Sequence, residues 1–143
     1  MFESIERSRR FAEAKLAEMR AGLSAEFARP AFSIVAVGSY GRAEASDESD
    51  IDWFVLDHDS TPTDSDDPRY VRAKAVIARS KIKQPSPGGA FNGVQRWDGM
   101  LQDIGGEAET NSTMTRRVLL MLESTWLLNE SLRSRALRDL MER

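Results

Sequence analysis

Two aspartates, Asp50 and Asp52, flank Ile51 and open the apolar run Trp53-Phe54-Val55-Leu56. Alternate residues of a strand share a face, so both carboxylates should point one way while Ile51 points into the core. Like charges so close together are unfavourable unless a cation neutralises them. Mg²⁺ suits such a pair, with Mn²⁺ as its substitute: a hard ion held by one or two carboxylates, with water and substrate phosphates completing its shell. Upstream, the apolar stretch Phe32–Val37 runs into Gly38-Ser39. Backbone N–H groups at such a turn, with the Ser39 hydroxyl, can cradle a phosphate. The chemistry implied is metal-assisted phosphoryl transfer.

These groups need two strands and a tight turn to hold them. Phe32–Val37 is short, apolar and β-branched and reads as a buried strand, and residues 51–56 read as a second. A helix is expected over residues 3–28, with Ile5, Ala12, Leu16, Met19 and Leu23 as its apolar stripe and Pro30 just beyond its end. One or two helical turns fit residues 41–46. The Asp-, Ser-, Thr- and Pro-rich stretch 58–68 reads as a surface loop, and 84–89 as a turn. Residues 69–80 read as a helix with Val71, Ala75 and Ala78 on one face. A weaker strand is expected over 99–104. A helix capped by Asn111 or Ser112 should lay Met114, Val118, Met121, Leu122 and Trp126 on the sheet. Residues 131–142 read as a last, basic helix. The order indicates an α/β (α+β) domain with a small mixed sheet flanked by helices.

Length and composition agree. The chain has 143 residues, 41% of them hydrophobic, which suits one domain with a real core and no membrane span. We expect a single domain over 1–143: an N-terminal helix (1–29), a core (30–110) and C-terminal helices (111–143). There is no Cys and a single His, His58, which excludes thiol chemistry and multi-His metal sites. The acidic, amphipathic start is no secretory signal, so a cytoplasmic protein is expected. The net charge of -3 hides a segregation of sign. Ala43–Pro68 carries ten acids and no Lys or Arg, whereas Arg69–Trp97 carries seven bases and no acid. A basic helix there could offer a face to RNA or to an acidic protein, though a solvated helix is the simpler reading. Asp57, Asp59, Asp64, Asp66 and Asp67 read as a solvated loop, and His58 as an exposed polar residue. Arg116-Arg117 could equally reach a triphosphate or be solvated.

The segment "AVGSYGRAEASDESDIDWFVL" resembles the nucleotidyltransferase superfamily that includes DNA polymerase beta. It is most similar to the nucleotidyltransferase domain of PII-protein uridylyltransferases, and to the minimal nucleotidyltransferases paired with HEPN toxins. The likeness is carried by residues 30–57; beyond them only element order agrees. It implies a nucleotidyltransferase fold and transfer of a nucleoside monophosphate from an NTP to a hydroxyl of a protein, RNA or small molecule. By position, Gly38 and Ser39 would hold the nucleotide's phosphates, Arg42 would contact a phosphate, and Asp50 and Asp52 would ligate Mg²⁺. Glu44 would be structural. A third carboxylate usually comes from a later strand; Asp103 is the candidate, with Glu107 and Glu109 as competitors. The resemblance also leaves room for a nucleotide-binding module of little or no activity that regulates a partner protein, such as an antitoxin. The two terminal helices, a partner chain or a homo-oligomer would then fill the role of the helical domain that larger relatives carry themselves.

Overall fold

The strand that delivers Gly38 is flanked on both sides by other strands, which fixes the turn after it. The computed structural model describes residues 1–58, 66–85, 93–102 and 104–142. Its elements are α1 (Phe2–Glu26), β1 (Ser33–Val37), α2 (Gly38–Gly41), β2 (Asp52–Asp57), α3 (Pro68–Ala78), β3 (Val94–Arg96), α4 (Trp97–Gln102), α5 (Asn111–Leu122), β4 (Thr125–Leu128) and α6 (Glu130–Met141). The strands form one mixed sheet in the order β3-β2-β1-β4. β1 pairs antiparallel with β2, Val37 opposite Asp52 and Ser33 opposite Leu56, and antiparallel with β4 on its other edge. β3 runs parallel to β2. The result is a small mixed sheet with helices on both faces, the α+β class expected. None of the described helices is long and apolar enough to cross a membrane.

Strand alternation sorts the core into two layers. Ile34, Ala36, Trp53, Val55 and Val94 face α1 and α3, where they meet Leu16, Met19, Leu23, Ala73 and Ile77. Trp53 stacks on Tyr70 of α3 with ring centroids 4.6 Å apart. Val35, Val37, Phe54 and Leu56 face the other way, onto Trp97 and Met100 of α4, Leu120 of α5, and Ala136 and Leu140 of α6. Burying each large apolar side chain contributes about 1.5–3 kcal/mol, so both layers hold the hairpin rigidly.

Several expectations need correction. The helical turn falls at Gly38–Gly41, earlier than 41–46. The strand expected over 99–104 is not found among its described residues: 99–102 are helical and Ile104 lies in a turn. Trp97 and Met100, three apart, bury on one helical face, and the strand sits upstream at Val94–Arg96. On α3 the buried residues are Tyr70, Ala73, Val76 and Ile77. Val71, Ala75 and Ala78 are exposed instead. On α5 only Leu120 is buried, while Met114, Val118, Met121 and Leu122 are exposed. Arg117 turns inward beside Leu120: its guanidinium donates to the Met100 carbonyl (2.9 Å) and to Glu109 (2.5 Å), so the face that meets the protein is Leu119, Leu120 and Arg117 and not the expected stripe. The cap of α5 is Thr110, whose hydroxyl accepts from the Thr113 N–H. Trp126 belongs to β4, a strand the apolar spacing had merged with the helix. Asn129 then turns the chain in a left-handed conformation (φ 57°), accepts from the Leu132 N–H and donates to the Pro30 and Phe32 carbonyls.

Candidate active site

β1 is buried along its whole length and ends at Val37 in an extended conformation. Gly38 then takes φ +67°, a left-handed backbone that glycine adopts without strain. The single turn of α2 follows, closed by bonds from Arg42 N–H to the Gly38 carbonyl and from Glu44 N–H to the Ser39 carbonyl. Tyr40 is 1% exposed and anchors the turn in the core. Gly41 has no room for a side chain, since a Cβ there would fall 1.8 Å from the Glu123 carbonyl oxygen. That contact presses α2 against the segment joining α5 to β4. The turn's first N–H groups lack helical partners, as in any helix start.

Between α2 and β2 the chain is pinned by Ala45, fully buried, and by a closed turn. Ser46 N–H donates to the Ser49 hydroxyl at 3.0 Å, and Ser49 N–H to the Ser46 carbonyl at 3.1 Å. Ile51 is fully buried in the layer facing α1 and α3. Asp50 and Asp52, on either side of it, therefore leave the opposite face, as the alternation predicts. A Cβ at Gly38 would lie 3.7 Å from Asp52 Oδ2, so the glycine turn abuts the carboxylate. Burial raises the Asp52 pKa above the usual carboxylate range, and the Asp50 charge raises it further. Neither carboxylate has a hydrogen-bond or ion-pair partner among the described residues. On the other edge of β2, Asp50 forms a parallel bridge with Lys83, and Ile51 N–H donates to the Lys83 carbonyl at 2.9 Å.

Two carboxylates on one face beside a glycine turn are a donor set that suits Mg²⁺, which needs one or two protein carboxylates. Among the described residues no cluster of three or more acids or His forms a fuller metal cage. Arg42 is engaged by two carboxylates, Glu44 at 2.7 Å and Glu123 at 2.5 Å, and the Glu44 hydrogen bond is the first cause of its raised pKa. Asp103 lies outside the described residues. Glu107 is exposed in a turn. Glu109 accepts from Gly105 N–H (2.6 Å) and from Arg117, and these bonds, the backbone one first, hold its pKa down. On β3 the residue sharing the Asp52 face is Gln95, paired with Leu56 and 8% exposed. Gln95, Met100, Thr113 and Arg116 line an open hollow of about 280 Å³ between β3, α4 and α5 that includes neither aspartate of the pair. Burial lowers the Arg116 pKa there.

The acidic and basic blocks meet away from the pair. Arg69, at the start of α3, bonds Asp57 and grips Asp67 through two nitrogens, at 3.0 and 2.9 Å. Asp57 and Asp67 are thus structural partners, not solvated loop acids; Asp59 and Asp64 lie outside the described residues. Arg72 pairs with Glu26 and lies over the Phe27 ring. His58 packs edge-on against Trp97, with ring centroids 4.7 Å apart. Comparison with known protein families and with curated proteins finds no match to this chain.

Proposed function

We propose that this domain is a Mg²⁺-dependent nucleotidyltransferase, which moves a nucleoside monophosphate from an NTP to a hydroxyl of a protein, RNA or small-molecule acceptor in the cytoplasm. The observation that carries the reading is the carboxylate pair itself: Asp50 and Asp52 share one face beside the Gly38 turn and have no hydrogen-bond or ion-pair partner among the described residues. Folding has left two negative charges close together on a rigid strand. A bound cation would offset the burial cost and the Asp50 repulsion that together raise the Asp52 pKa. Bound there, Mg²⁺ would supply Lewis-acid stabilisation of charge on the phosphate oxygens.

The chain's own part is to position the groups. The Gly38-Ser39 turn offers N–H groups and a hydroxyl to the polyphosphate. The acceptor oxygen bonds to the α-phosphorus, the bond from that phosphorus to the bridging oxygen breaks, and pyrophosphate leaves. The hydroxyl proton passes to a carboxylate, for which Asp103 is the candidate. A second reading is a nucleotide-binding module that regulates a partner protein, such as an antitoxin. It is favoured by β3, which pairs with the far end of β2 and presents the neutral Gln95 on the Asp52 face, and by the engagement of Glu109 with Arg117.

Incubation with each labelled NTP, Mg²⁺ and candidate acceptors, with pyrophosphate release as the readout, separates the two. Release that disappears in Asp50→Ala plus Asp52→Ala supports transfer. Metal-dependent NTP binding without release supports the regulatory module. No binding of any Mg·NTP removes both.

A further inference from the structure

The carboxylate pair has a second neighbour, on the edge opposite the Gly38 turn. Backbone N–H groups along a strand alternate between its two edges, so those of Ile51 and Val55 point to the same side of β2. Val55 N–H bonds the Gly93 carbonyl at the entry to β3, and Ile51 N–H bonds the Lys83 carbonyl. The Lys83 segment therefore extends the sheet on the β3 side, whereas Val37 and Gly38 lie on the β1 side. Residues paired in a parallel bridge present their side chains on one face, so Lys83 leaves the sheet on the same face as Asp50. The neighbouring residue confirms the parity, because Ile82 packs into the opposite layer with Ile51. Lys83 is exposed, and its ammonium has no ion-pair partner among the described residues, Asp50 included.

We propose that Lys83 is a substrate-binding residue, a cation that meets the polyphosphate of the nucleotide across the carboxylate pair from Gly38-Ser39. The inference rests on the nucleotide reading above and deepens it. Both acids are given over to a metal, and a triphosphate brings more negative charge than one Mg²⁺ neutralises. A lysine on a four-carbon stem, a point charge with three donors, suits the β and γ phosphates and the departing pyrophosphate. Arg42, the cation nearest in sequence, is already held by Glu44 and Glu123.

The test measures binding of Mg²⁺ alone, of each Mg·NTP, of Mg·pyrophosphate and of each nucleoside monophosphate by calorimetry. It compares the intact chain with Lys83→Ala, Lys83→Arg, Lys74→Ala as a charge-matched control on the exposed side of α3, and Asp50→Ala plus Asp52→Ala. Lys83→Ala should weaken Mg·NTP and Mg·pyrophosphate by about tenfold, the loss of one charge-assisted contact. It should leave the monophosphates unchanged and tighten Mg²⁺ alone, because a nearby positive charge is gone. Those opposite signs are what a merely structural lysine would not produce. Lys83→Arg should recover most of the affinity, and Lys74→Ala should match the intact chain. Lys83→Ala binding Mg·NTP as tightly as the intact chain, while the double aspartate variant loses it, would overturn the role of Lys83 and leave the nucleotide reading standing. Failure of the intact chain to bind any Mg·NTP would overturn both.

Discussion

The two ends of β2 carry the same side chain and treat it oppositely. Asp57, at the last residue, lies on the α3 face, where Arg69 reaches it and also holds Asp67, the N-cap of α3. Its side chain is 15% exposed, and the hydrogen bond to Asp67 is the first cause that raises the Arg69 pKa. Asp52, at the first residue, lies on the other face beside Asp50 and has no ion-pair partner among the described residues. A carboxylate whose task is to tie a loop to a helix receives its cation from the chain. Asp52 receives no such partner from the described chain, and its pKa is raised, first by burial and then by the Asp50 charge, as befits a carboxylate open to a ligand's cation under the nucleotide reading. Reading function from the acidic block therefore means asking which acids the fold has already neutralised, and the count of acids says little.

The largest expected contrast is in activity. Asp50→Ala plus Asp52→Ala should lower pyrophosphate release by a factor on the order of 10² or more, the scale lost when charge stabilisation at a reacting phosphate is removed. Asp57→Asn should leave release per folded molecule unchanged. Equal losses from both ends of the strand, in steady-state assays of folded protein, would erase the distinction. The next contrast runs the other way. Arg69→Ala leaves Asp57 and Asp67 without their cation and should destabilise the fold by about 2 kcal/mol, the value for a broken buried pair discounted for the solvent reaching this one. Urea unfolding checks it, and Mg·NTP affinity of the folded variant should not change. A loss below experimental error would mean that the Arg69 cluster is solvated after all.

The unneutralised end was the more legible of the two in the sequence. Gly38-Ser39 and Asp50-Ile51-Asp52 act through local rules: a glycine where the backbone must turn left-handed, and a period of two that puts both carboxylates on one face. β1 and β2 were readable for the same reason. The neutralised end was not, because Arg69 is 12 positions from Asp57 in sequence and only the folded α3 brings it back. Lys83 was hidden likewise, since its neighbour Asp50 is far away in sequence and the bridge between them is a tertiary contact. The α5 stripe shows the limit of periodicity. Met114, Val118 and Met121 do recur at helical spacing, but spacing says that a stripe exists and not which side the protein lies on. Arg117 settled that with bonds to Met100 and Glu109. β4 was lost because Trp126 continued the helical count, although the helix ends at Leu122, where the Ser124 hydroxyl donates back to the Leu120 carbonyl.

The smallest expected effect tests the cost of that open charge directly. The folded protein keeps a proton on Asp52 at a pH where the unfolded chain has already released it. The folded state then binds more protons, so stability falls as pH rises from the ordinary carboxylate range through the raised Asp52 value, and it stays lower at neutral pH. Asp52→Asn removes the charge and should raise the thermal midpoint at pH 7 by about 1–2 °C, discounted for the solvent that still reaches the group. Below the ordinary carboxylate range, where both forms are uncharged, intact and variant chains should unfold alike. Added Mg²⁺ should reverse the ranking, because an ion bound only by the folded state stabilises it by RT ln(1 + [Mg²⁺]/Kd), about 1.4 kcal/mol at ten times Kd. The intact chain gains this and Asp52→Asn gains less. That gain should also shrink on acidification sooner than for an ordinary carboxylate site, since the metal competes with a proton that Asp52 holds unusually well. The corresponding substitution at the other end, Asp57→Asn, should show none of these responses to Mg²⁺ and should lower the midpoint at pH 7, because there the charge removed was already paired with Arg69.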